Sequence, residues 1–494
     1  MMPLLSTCLG RCRLGVGRVD ITPPPDAYHR NWGAALHDAA EGIHRALVAT
    51  VLVLSDDDTG EQVRALFTVD LGWLRYREMD VLLGHLRDGT GLGDDDLVFT
   101  FSHTHAAINL DLERVDEPGG RHIEPYLAQL PDRLLEAYRA ARDNLVPVDL
   151  AFGTGRCDLA LHRDALDEAR GIFVCGPNPG GPSDDTVTIM RATDEVGQSV
   201  AHLINYACHP TTLAWDNRLI SPDYVGAMRE VVEERTCGLC LFVQGTSGDL
   251  GPVRGFVGDT ETADSNGRQL GFAALAAIEA LPVPACQWSY RAPVVSGATV
   301  GAWQWTSLPA DRQAAVRTFD SRTVTVSLEY RQLPSHEELA ADIDDWSSRQ
   351  EQAETTGDVD DLREARARIE RLRRLQRLVE STPASGSIDY DIRLWRLGEA
   401  IFVMVGGEPY QQLSVNLRRR FPDSALVVVE LCNRPHSYLL PRDRYGIGLY
   451  QEEVCVLAPG CLEAVEEAIA RALSDWNLTP FSTAEGVAPH AHRS

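Results

Sequence analysis

Apolar residues recur at the spacing of strands in several short runs that are rich in β-branched and aromatic side chains and end in turn residues. In the N-terminal quarter of the chain these runs are GVGRVDIT, ALVATVLVLS, QVRALFTVDLGWL and LVFTFS. Further on, TVTIMRATDEVGQSVAHLINYACHP contains two strand patterns around the turn DEVGQ, which predicts a hairpin. The pattern therefore predicts a sheet of many short strands.

Helical spacing marks the segments 122–144, 221–235 and 266–281. In the second segment, Ser221 is the predicted N-cap and Asp223 lies in the first turn, where a carboxylate interacts favourably with the helix dipole. Because strand and helix patterns alternate along the chain, we expect an α/β fold with a mixed sheet.

Residues 336–381 have a different composition, since they are strongly charged, have helical spacing and are interrupted by TTGDVD. This pattern predicts a solvated helical hairpin inserted into the α/β core. Strand and helix patterns resume in IRLWRLG, AIFVMVGG, ALVVVELCN and CLEAVEEAIARAL. We expect a single catalytic domain over residues 1–481, with the insertion at 336–381, and a disordered tail over 482–494.

The charge of the chain restricts its partners. The 72 acidic and 46 basic residues leave a net charge of −26, which argues against nucleic acid or an anionic membrane as the main partner. No apolar run approaches the roughly 20 residues of a membrane helix, so no integral membrane segment is expected. The 11 cysteines and an N-terminal segment unlike a signal peptide indicate a cytoplasmic protein. The oligomeric state stays open.

Polar residues with metal-binding side chains follow several apolar, strand-like runs. LVFTFS leads into His103 and His105, AHLINYAC into His209, AIFVMVGG into Glu408, and ALVVVELCN towards Tyr438. Side chains at positions i and i+2 of a strand face the same way, so the first two histidines can reach a single centre. Two histidines and a carboxylate form a common catalytic zinc set, although any one of these histidines alone is more often a structural residue.

A set of motifs in a fixed order extends over nearly the whole chain. The motifs are GVGRVDIT, SHTHAA, LHRD, NYACHP, NRLISPDYVGAM, FVQGTSGDLGP, GGEPYQQL and CNRPHSYLLP. Together they resemble the catalytic domain of the neutral/alkaline (non-lysosomal) ceramidase family. The resemblance implies a mixed-sheet, zinc-hydrolase-like domain in which Zn²⁺ is held by His103, His209, Glu408 and Tyr438.

The resemblance also implies the residues that face the substrate. These are His105 and Arg163, the arginine of LHRD, with Asp223 close to the zinc ion. Asp223 is the best candidate for a general base, because the other candidate carboxylate is committed to the metal. Capping of a helix explains Asp223 equally well.

Two departures from the family pattern affect the expected chemistry. Gly251 occupies the position of the serine in the family motif GDVSPN, which excludes nucleophilic serine catalysis at that position. Ser247, a nearby hydroxyl, is interpreted as a loop residue. The chain is also expected to lack the C-terminal β-domain of the family. Ceramide is therefore not assumed to be the substrate.

The function that fits these observations is a zinc-dependent amidase or deacylase that cleaves an N-acyl amide bond by attack of zinc-activated water. The expected substrate is a small-molecule or lipid-like amide. A first alternative is metal-dependent ester hydrolysis or cyclisation in a specialised biosynthetic pathway. A second is a non-catalytic metal-binding protein on the same fold.

Overall fold

Most strands in the N-terminal half pair into one eight-stranded mixed sheet. The structure is a computed structural model and describes residues 7–382, 386–434, 436–476 and 478. The predicted tail at 482–494 lies outside the described residues. The first thirteen strands are β1 (Leu9–Asp20), β2 (Gly42–Ile43), β3 (Val48–Ser55), β4 (Val63–Val69), β5 (Leu97–Phe101), β6 (Val146–Arg156), β7 (Ala160–His162), β8 (Asp164–Asp167), β9 (Ile172–Cys175), β10 (Thr186–Asp194), β11 (Ser199–Tyr206), β12 (Leu219–Ile220) and β13 (Leu239–Gln244).

The large sheet has the order β13-β11-β10-β6-β1-β3-β4-β5. The pairs β4–β5 and β11–β13 are parallel, and the other neighbours are antiparallel. The hairpin predicted around DEVGQ is confirmed as β10 and β11. The predicted α/β fold with a mixed sheet is therefore confirmed.

A second, four-stranded sheet is built from the C-terminal half, in the order β17-β18-β19-β21. Within it, β19 and β21 are parallel. The strands of this half are β14 (Leu250–Pro252), β15 (Cys286–Ser296), β16 (Ala298–Ser307), β17 (Phe319–Glu329), β18 (Ser387–Leu397), β19 (Ala400–Met404), β20 (Glu408–Pro409), β21 (Ala425–Val429) and β22 (Tyr438–Leu439).

The described residues form ten α-helices. They are α1 (Tyr76–Thr90), α2 (Ile123–Asp143), α3 (Tyr224–Thr236), α4 (Thr260–Glu279), α5 (Ala310–Ala315), α6 (His336–Thr356), α7 (Val359–Ser381), α8 (Gln412–Arg420), α9 (Tyr450–Glu453) and α10 (Cys461–Asp475). Apolar residues of α1 to α4 pack on the large sheet, and those of α8 and α10 pack on the small sheet. Among the described residues, no helix is both long and apolar enough to span a bilayer.

Alternation along the strands explains why the central strands of each sheet are buried on both faces. In β3, Val51 and Val53 belong to the cluster under α1 and α2, whereas Leu52 and Leu54 belong to the cluster between the sheets. Val427 and Val429 of β21 contribute to that same inter-sheet cluster. Because successive side chains of a strand point to opposite faces, the sheets pack face to face with helices outside.

The charged segment forms two helices, α6 and α7, between the neighbouring strands β17 and β18. Ser335 caps α6 in a capping box with Glu338, and Asp358 caps α7. Glu329 at the end of β17 and Ser387 at the start of β18 lie on either side of these helices and are paired in the sheet. The buried residues of the helix pair lie outside the hydrophobic clusters of the sheets; they are Leu339, Ala353, Ala365 and Ile369.

Two local predictions are wrong. Helix α3 begins at Tyr224 and its N-cap is Asp223, while the predicted cap Ser221 accepts a 3.0 Å hydrogen bond from the backbone of Asp223. Strand β5 ends at Phe101, so His103 and His105 follow the strand instead of continuing it. His103 has φ 68°, a left-handed conformation. The two histidines therefore converge because the chain turns, and not because a strand alternates.

Candidate functional site

The candidate site lies beyond the ends of strands from both sheets. His103 follows β5 and His209 follows β11 of the large sheet, while Glu408 follows β19 of the small one. The short strands β20 and β22 are parallel and place Glu408 beside Tyr438. Residues far apart in sequence thus meet at one point, in agreement with the tendency of α/β sheets to place ligand sites at strand ends.

Three of these side chains form a tight cluster. The Nε2 atoms of His103 and His209 lie 3.0 Å apart. Oε2 of Glu408 lies 3.5 Å from the first of these nitrogens and 3.4 Å from the second. One ring nitrogen of His105 lies within 4.8 Å of ring nitrogens of the other two histidines. Oε2 of Glu408 and Nε2 of His105 are buried and lack hydrogen-bond partners among the described residues.

The opposite ring nitrogens are held by backbone oxygens. Nδ1 of His103 lies 2.8 Å from the carbonyl oxygen of Gly72, and Nδ1 of His209 lies 3.2 Å from that of Ser247. When both Nδ1 atoms donate to these oxygens, two Nε2 lone pairs and a carboxylate face one another. Such a set of acceptors needs a cation between its members, so the residues fit a metal ion.

The protonation states suit the same interpretation. Burial lowers the pKa of His105 and His209 well below the ordinary value, and the positive charges of neighbouring residues act in the same direction. Burial alone would raise the pKa of Glu408, but its hydrogen-bonding and positively charged neighbours, among them Tyr438 and Arg163, outweigh burial and lower it. Neutral imidazoles and an ionised carboxylate are the forms that bind a metal.

Arg163 and Tyr438 complete the immediate surroundings. Arg163 follows β7, and its Nη2 donates to the carbonyl oxygen of Gly248 at 2.8 Å and to Oη of Tyr438 at 3.1 Å. Burial, followed by the charge of Glu408, raises the pKa of Tyr438 well above its ordinary value. The phenol is therefore protonated and can donate a hydrogen bond to Glu408, its partner across the β20–β22 pair.

The cluster opens into a cavity of about 1010 Å³. The predicted residues that line it are His103, His105, Arg163, His209, Glu408 and Tyr438. Its aromatic wall includes Trp32, whose ring centroid lies 5.3 Å from that of His105 and 5.8 Å from that of Phe256. A cavity of this size with apolar walls and convergent polar groups is the usual form of a small-molecule site.

Asp223 does not join this group. It is absent from the described residues that line the cavity, and its oxygens accept hydrogen bonds from the backbone of Leu213 at 2.9 Å and Tyr224 at 2.7 Å. Burial raises the pKa of Asp223 to about 6. Its contacts match the capping role and the support of the loop after His209, and they give no support to Asp223 as a general base.

Comparison with known proteins agrees with the motifs. The neutral ceramidase of Drosophila melanogaster is 24% identical over 237 residues, 45% of this chain and 32% of the relative. The neutral ceramidase of Pseudomonas aeruginosa is 23% identical over 259 residues, 49% of this chain and 37% of the relative. The chain resembles neutral ceramidases. The matched region spans only about a third of the length of these relatives, and no protein-family model matches the chain.

The structural comparison covers more of the chain. The crystal structure of neutral ceramidase from Pseudomonas aeruginosa has a TM-score of 0.63 at 16% identity and covers 98% of this chain and 77% of that one. A structure described as ceramidase complexed with C2 has a TM-score of 0.61 at the same identity and coverage. The chain therefore has the fold of the neutral ceramidase structure.

Several residues around the site were not predicted from the sequence. Glu430 is fully buried at the end of β21 and accepts hydrogen bonds from Ser247, which was interpreted only as a loop residue. Burial and the charge of Glu408 raise the pKa of Glu430 well above its ordinary value. A glutamate inside the apolar run ALVVVELCN was the available signal. Arg374 of α7 also lines the cavity, and its regular charged helix carried no such signal.

Proposed function

We propose that this chain is a zinc-dependent amidohydrolase that cleaves an N-acyl amide bond in the cavity beside His103, His209 and Glu408. The observation that carries the proposal is the approach of two Nε2 atoms and one carboxylate oxygen to within 3.0–3.5 Å of one another at the cavity. The likeness to proteins named neutral ceramidases supports amide hydrolysis as the reaction.

The donor set favours zinc. Imidazole nitrogens and a carboxylate oxygen are the usual ligands of catalytic zinc sites, which leave one position open. We assign His103, His209 and Glu408 as ligands. Tyr438, predicted as the fourth ligand, lies next to Glu408, and its role as a ligand stays a prediction. When bound, zinc would act as a Lewis acid and make hydroxide available from water near neutral pH.

The remaining residues of the site would bind and polarise the amide. The guanidinium of Arg163 is fixed by Gly248 and Tyr438, while its buried Nε lacks a hydrogen-bond partner among the described residues and can donate to the carbonyl oxygen of the substrate. His105 presents Nε2 to the same region. Donors placed where negative charge develops lower the barrier of acyl transfer.

The substrate class follows from the walls of the cavity. Trp32, Phe256 and Leu74 offer apolar contact for an acyl chain, so we propose a small-molecule or lipid-like amide. Gly251 lies beside Arg163, where the family motif has its serine, so we expect long-chain ceramide to be a poor substrate. Ester hydrolysis or cyclisation would use the same residues, so both stay alternatives to amide hydrolysis. Turnover on the same panel of substrates distinguishes them.

The deciding experiment combines metal analysis with turnover. The purified protein should contain about one zinc ion per chain and hydrolyse members of a panel of N-acyl amides, and a chelator should abolish turnover until zinc is restored. Bound zinc without turnover of any amide or ester would favour a non-catalytic metal-binding protein. Turnover that survives complete removal of metal would contradict the proposed mechanism.

A further inference from the structure

Arg374 of α7 lines the same cavity and differs from the arginines one turn before and after it. Arg371 pairs with Glu453 at 2.6 Å, and Arg377 pairs with Asp111 at 3.0 Å. The hydrogen bond of Arg374 goes instead to a neutral group, the hydroxyl of Tyr450, at 3.0 Å. Among the described residues, no carboxylate lies within 4.0 Å of its guanidinium.

Arg163 also lines the cavity and forms its hydrogen bonds with groups other than carboxylates. It is only 5% exposed, and its hydrogen bonds go to the carbonyl oxygen of Gly248 and the hydroxyl of Tyr438. Both guanidinium groups interact electrostatically with Glu408, whose negative charge the proposed zinc ion would offset. Arg374 also interacts with Glu370, which is already paired with Arg114 at 2.6 Å. A cation held away from water without a carboxylate in direct contact is costly unless an anion compensates it. The positive charge of these two guanidinium groups therefore favours an anionic ligand in the cavity.

The two arginines share the cavity with the reacting region. Arg374 and Arg163 line it together with His105. An anionic group bound at Arg374 would therefore belong to the molecule whose amide bond lies at the histidine cluster. The aromatic wall formed by Trp32 and Phe256 remains available for the apolar part of that molecule.

We propose that the substrate is an N-acyl amide that carries an anionic group, a carboxylate or a phosphate, and that Arg374 binds this group. This inference rests on the proposed amidohydrolase function. A guanidinium suits either anion because its planar N–H donors match two oxygen atoms. The neutral head group of a ceramide would leave Arg374 without a charged partner. The inserted helix α7 would thereby set a specificity different from that for a neutral lipid.

A matched set of substrates tests the inference on the zinc-loaded enzyme. The set consists of N-dodecanoylglycine, N-dodecanoylethanolamine phosphate and the neutral N-dodecanoylethanolamine. We expect kcat/KM to be about 10- to 100-fold higher for at least one anionic amide than for the neutral one, the range for a hydrogen bond to a charged group. The ratio between the first two compounds distinguishes a carboxylate from a phosphate.

Variants of Arg374 test whether this residue causes the preference for anionic amides. Arg374→Gln should remove most of it, mainly through a higher KM for the anionic amide, and Arg374→Lys should restore part of it. The matched control is Arg363→Gln, which removes an arginine of the same helix that pairs with Asp216 at 3.1 Å. The control should keep the preference. Thermal unfolding of each variant shows whether the fold is retained.

The possible failures are distinguishable. Hydrolysis of anionic and neutral amides with equal kcat/KM would overturn the inference while leaving the amidohydrolase function intact. If no amide is hydrolysed, the proposed function fails, and calorimetric binding of N-dodecanoylglycine then decides the inference. Binding that Arg374→Gln weakens at least tenfold and Arg363→Gln leaves unchanged supports the anion site. Equal binding by the wild type and both variants overturns it.

Discussion

The hydroxyl of Ser247 donates a 2.6 Å hydrogen bond to Oε1 of Glu430. The backbone N–H of Ser247 donates to the second oxygen of the same carboxyl group at 3.0 Å. On its other side, the carbonyl and hydroxyl oxygens of Ser247 lie 3.2 Å and 3.3 Å from Nδ1 of His209. Ser247 therefore connects a buried carboxyl group to a candidate metal ligand and helps to orient its ring.

Replacing Ser247 should weaken metal binding without removing a ligand. We expect Ser247→Ala to lower the affinity for zinc by about 10- to 100-fold, the usual effect of a residue that orients a ligand, because the hydroxyl contact to His209 and Glu430 is lost. Competition with a chromogenic chelator measures the affinity. The control is Ser414→Ala, whose buried hydroxyl contacts Thr246 at 2.6 Å instead. Equal affinities in both variants and the wild type would contradict the orienting role.

Replacing His103 and replacing His105 should have different effects on zinc binding and turnover. Glu408 contacts the rings of His103 and His209 within 4.0 Å, whereas no such contact with His105 is present among the described residues. We expect His103→Ala to lose zinc and activity together. His105→Ala should keep zinc while kcat falls by roughly 100- to 1,000-fold, as for the loss of one oxyanion donor.

Elemental analysis and steady-state kinetics of the two variants decide between these roles. His209→Ala serves as the reference for loss of a ligand and should release zinc as His103→Ala does. Loss of zinc from the His105 variant with retention in the His103 variant would reverse the assignment. Loss from both would make His105 a third histidine ligand.

The sequence predicted the strand ends better than it predicted the contacts at them. The apolar runs before His209 and Glu408 form strands, because local alternation and β-branched residues are sufficient for that prediction. The turn at His103 was not predicted, since its left-handed backbone depends on contacts with residues distant in sequence. The helices of 336–381, which include Arg374, were predicted to be solvated, because whether a charged helix faces water or a cavity is decided by tertiary packing.

A serine should be tolerated at position 251. A Cβ atom at Gly251 would meet Arg163 at 3.7 Å and Thr211 at 3.9 Å, which are ordinary contact distances. We therefore expect Gly251→Ser to change the free energy of unfolding by less than about 1 kcal/mol. Its hydroxyl would lie beside Arg163 and is expected to alter kcat/KM for amides. Urea unfolding and kinetics on the substrate panel measure both effects.

The matched control for this change is Gly248→Ser. A Cβ atom there would lie 2.6 Å from the backbone oxygen of Glu408, so the backbone that carries a candidate ligand must shift. We expect this variant to lose stability and zinc affinity. Equal destabilisation by Gly251→Ser and Gly248→Ser would show that position 251 has no room for a side chain beside Arg163. Efficient ceramide hydrolysis by the wild type would show that the serine is not needed for that substrate.

Asp223 should make stability depend on pH. Burial raises its folded-state pKa from 3.8 to about 6, so the folded protein binds this proton more tightly than the unfolded chain. The resulting stabilisation is fully present below pH 3.8 and is lost as pH rises through about 6. Between pH 5 and 7, the wild type should lose about 1 kcal/mol relative to Asp223→Asn, which has no proton to release.

Urea unfolding of both metal-free proteins at each pH measures the difference. The substitution also changes the hydrogen bonds to Leu213 and Tyr224, but that change shifts the curves by a constant amount. The informative quantity is therefore how the difference in the free energy of unfolding between the two proteins changes with pH. A constant difference from pH 5 to 7 would show that the folded-state pKa of Asp223 is not raised.

Removing the inserted helices should open the cavity and leave the metal site formed. The candidate ligands His103, His209 and Glu408 lie outside residues 336–381, and β17 and β18 are already paired at the point where the helices leave and return. The backbone of Tyr330 donates a 3.1 Å hydrogen bond to Gly386 across this point. A short Gly/Ser linker can therefore replace 336–381 with little entropic cost of closure.

We expect the shortened protein to bind about one zinc ion per chain and to have a lower kcat/KM, because α7 supplies one wall of the cavity and the guanidinium of Arg374. Comparison with Arg374→Gln separates the two losses: a greater loss on deletion measures the contribution of the wall. Zinc analysis, thermal unfolding and kinetics are made on the same preparations. Unfolding together with loss of zinc would show that the helices support the core, since the ligands themselves are all retained.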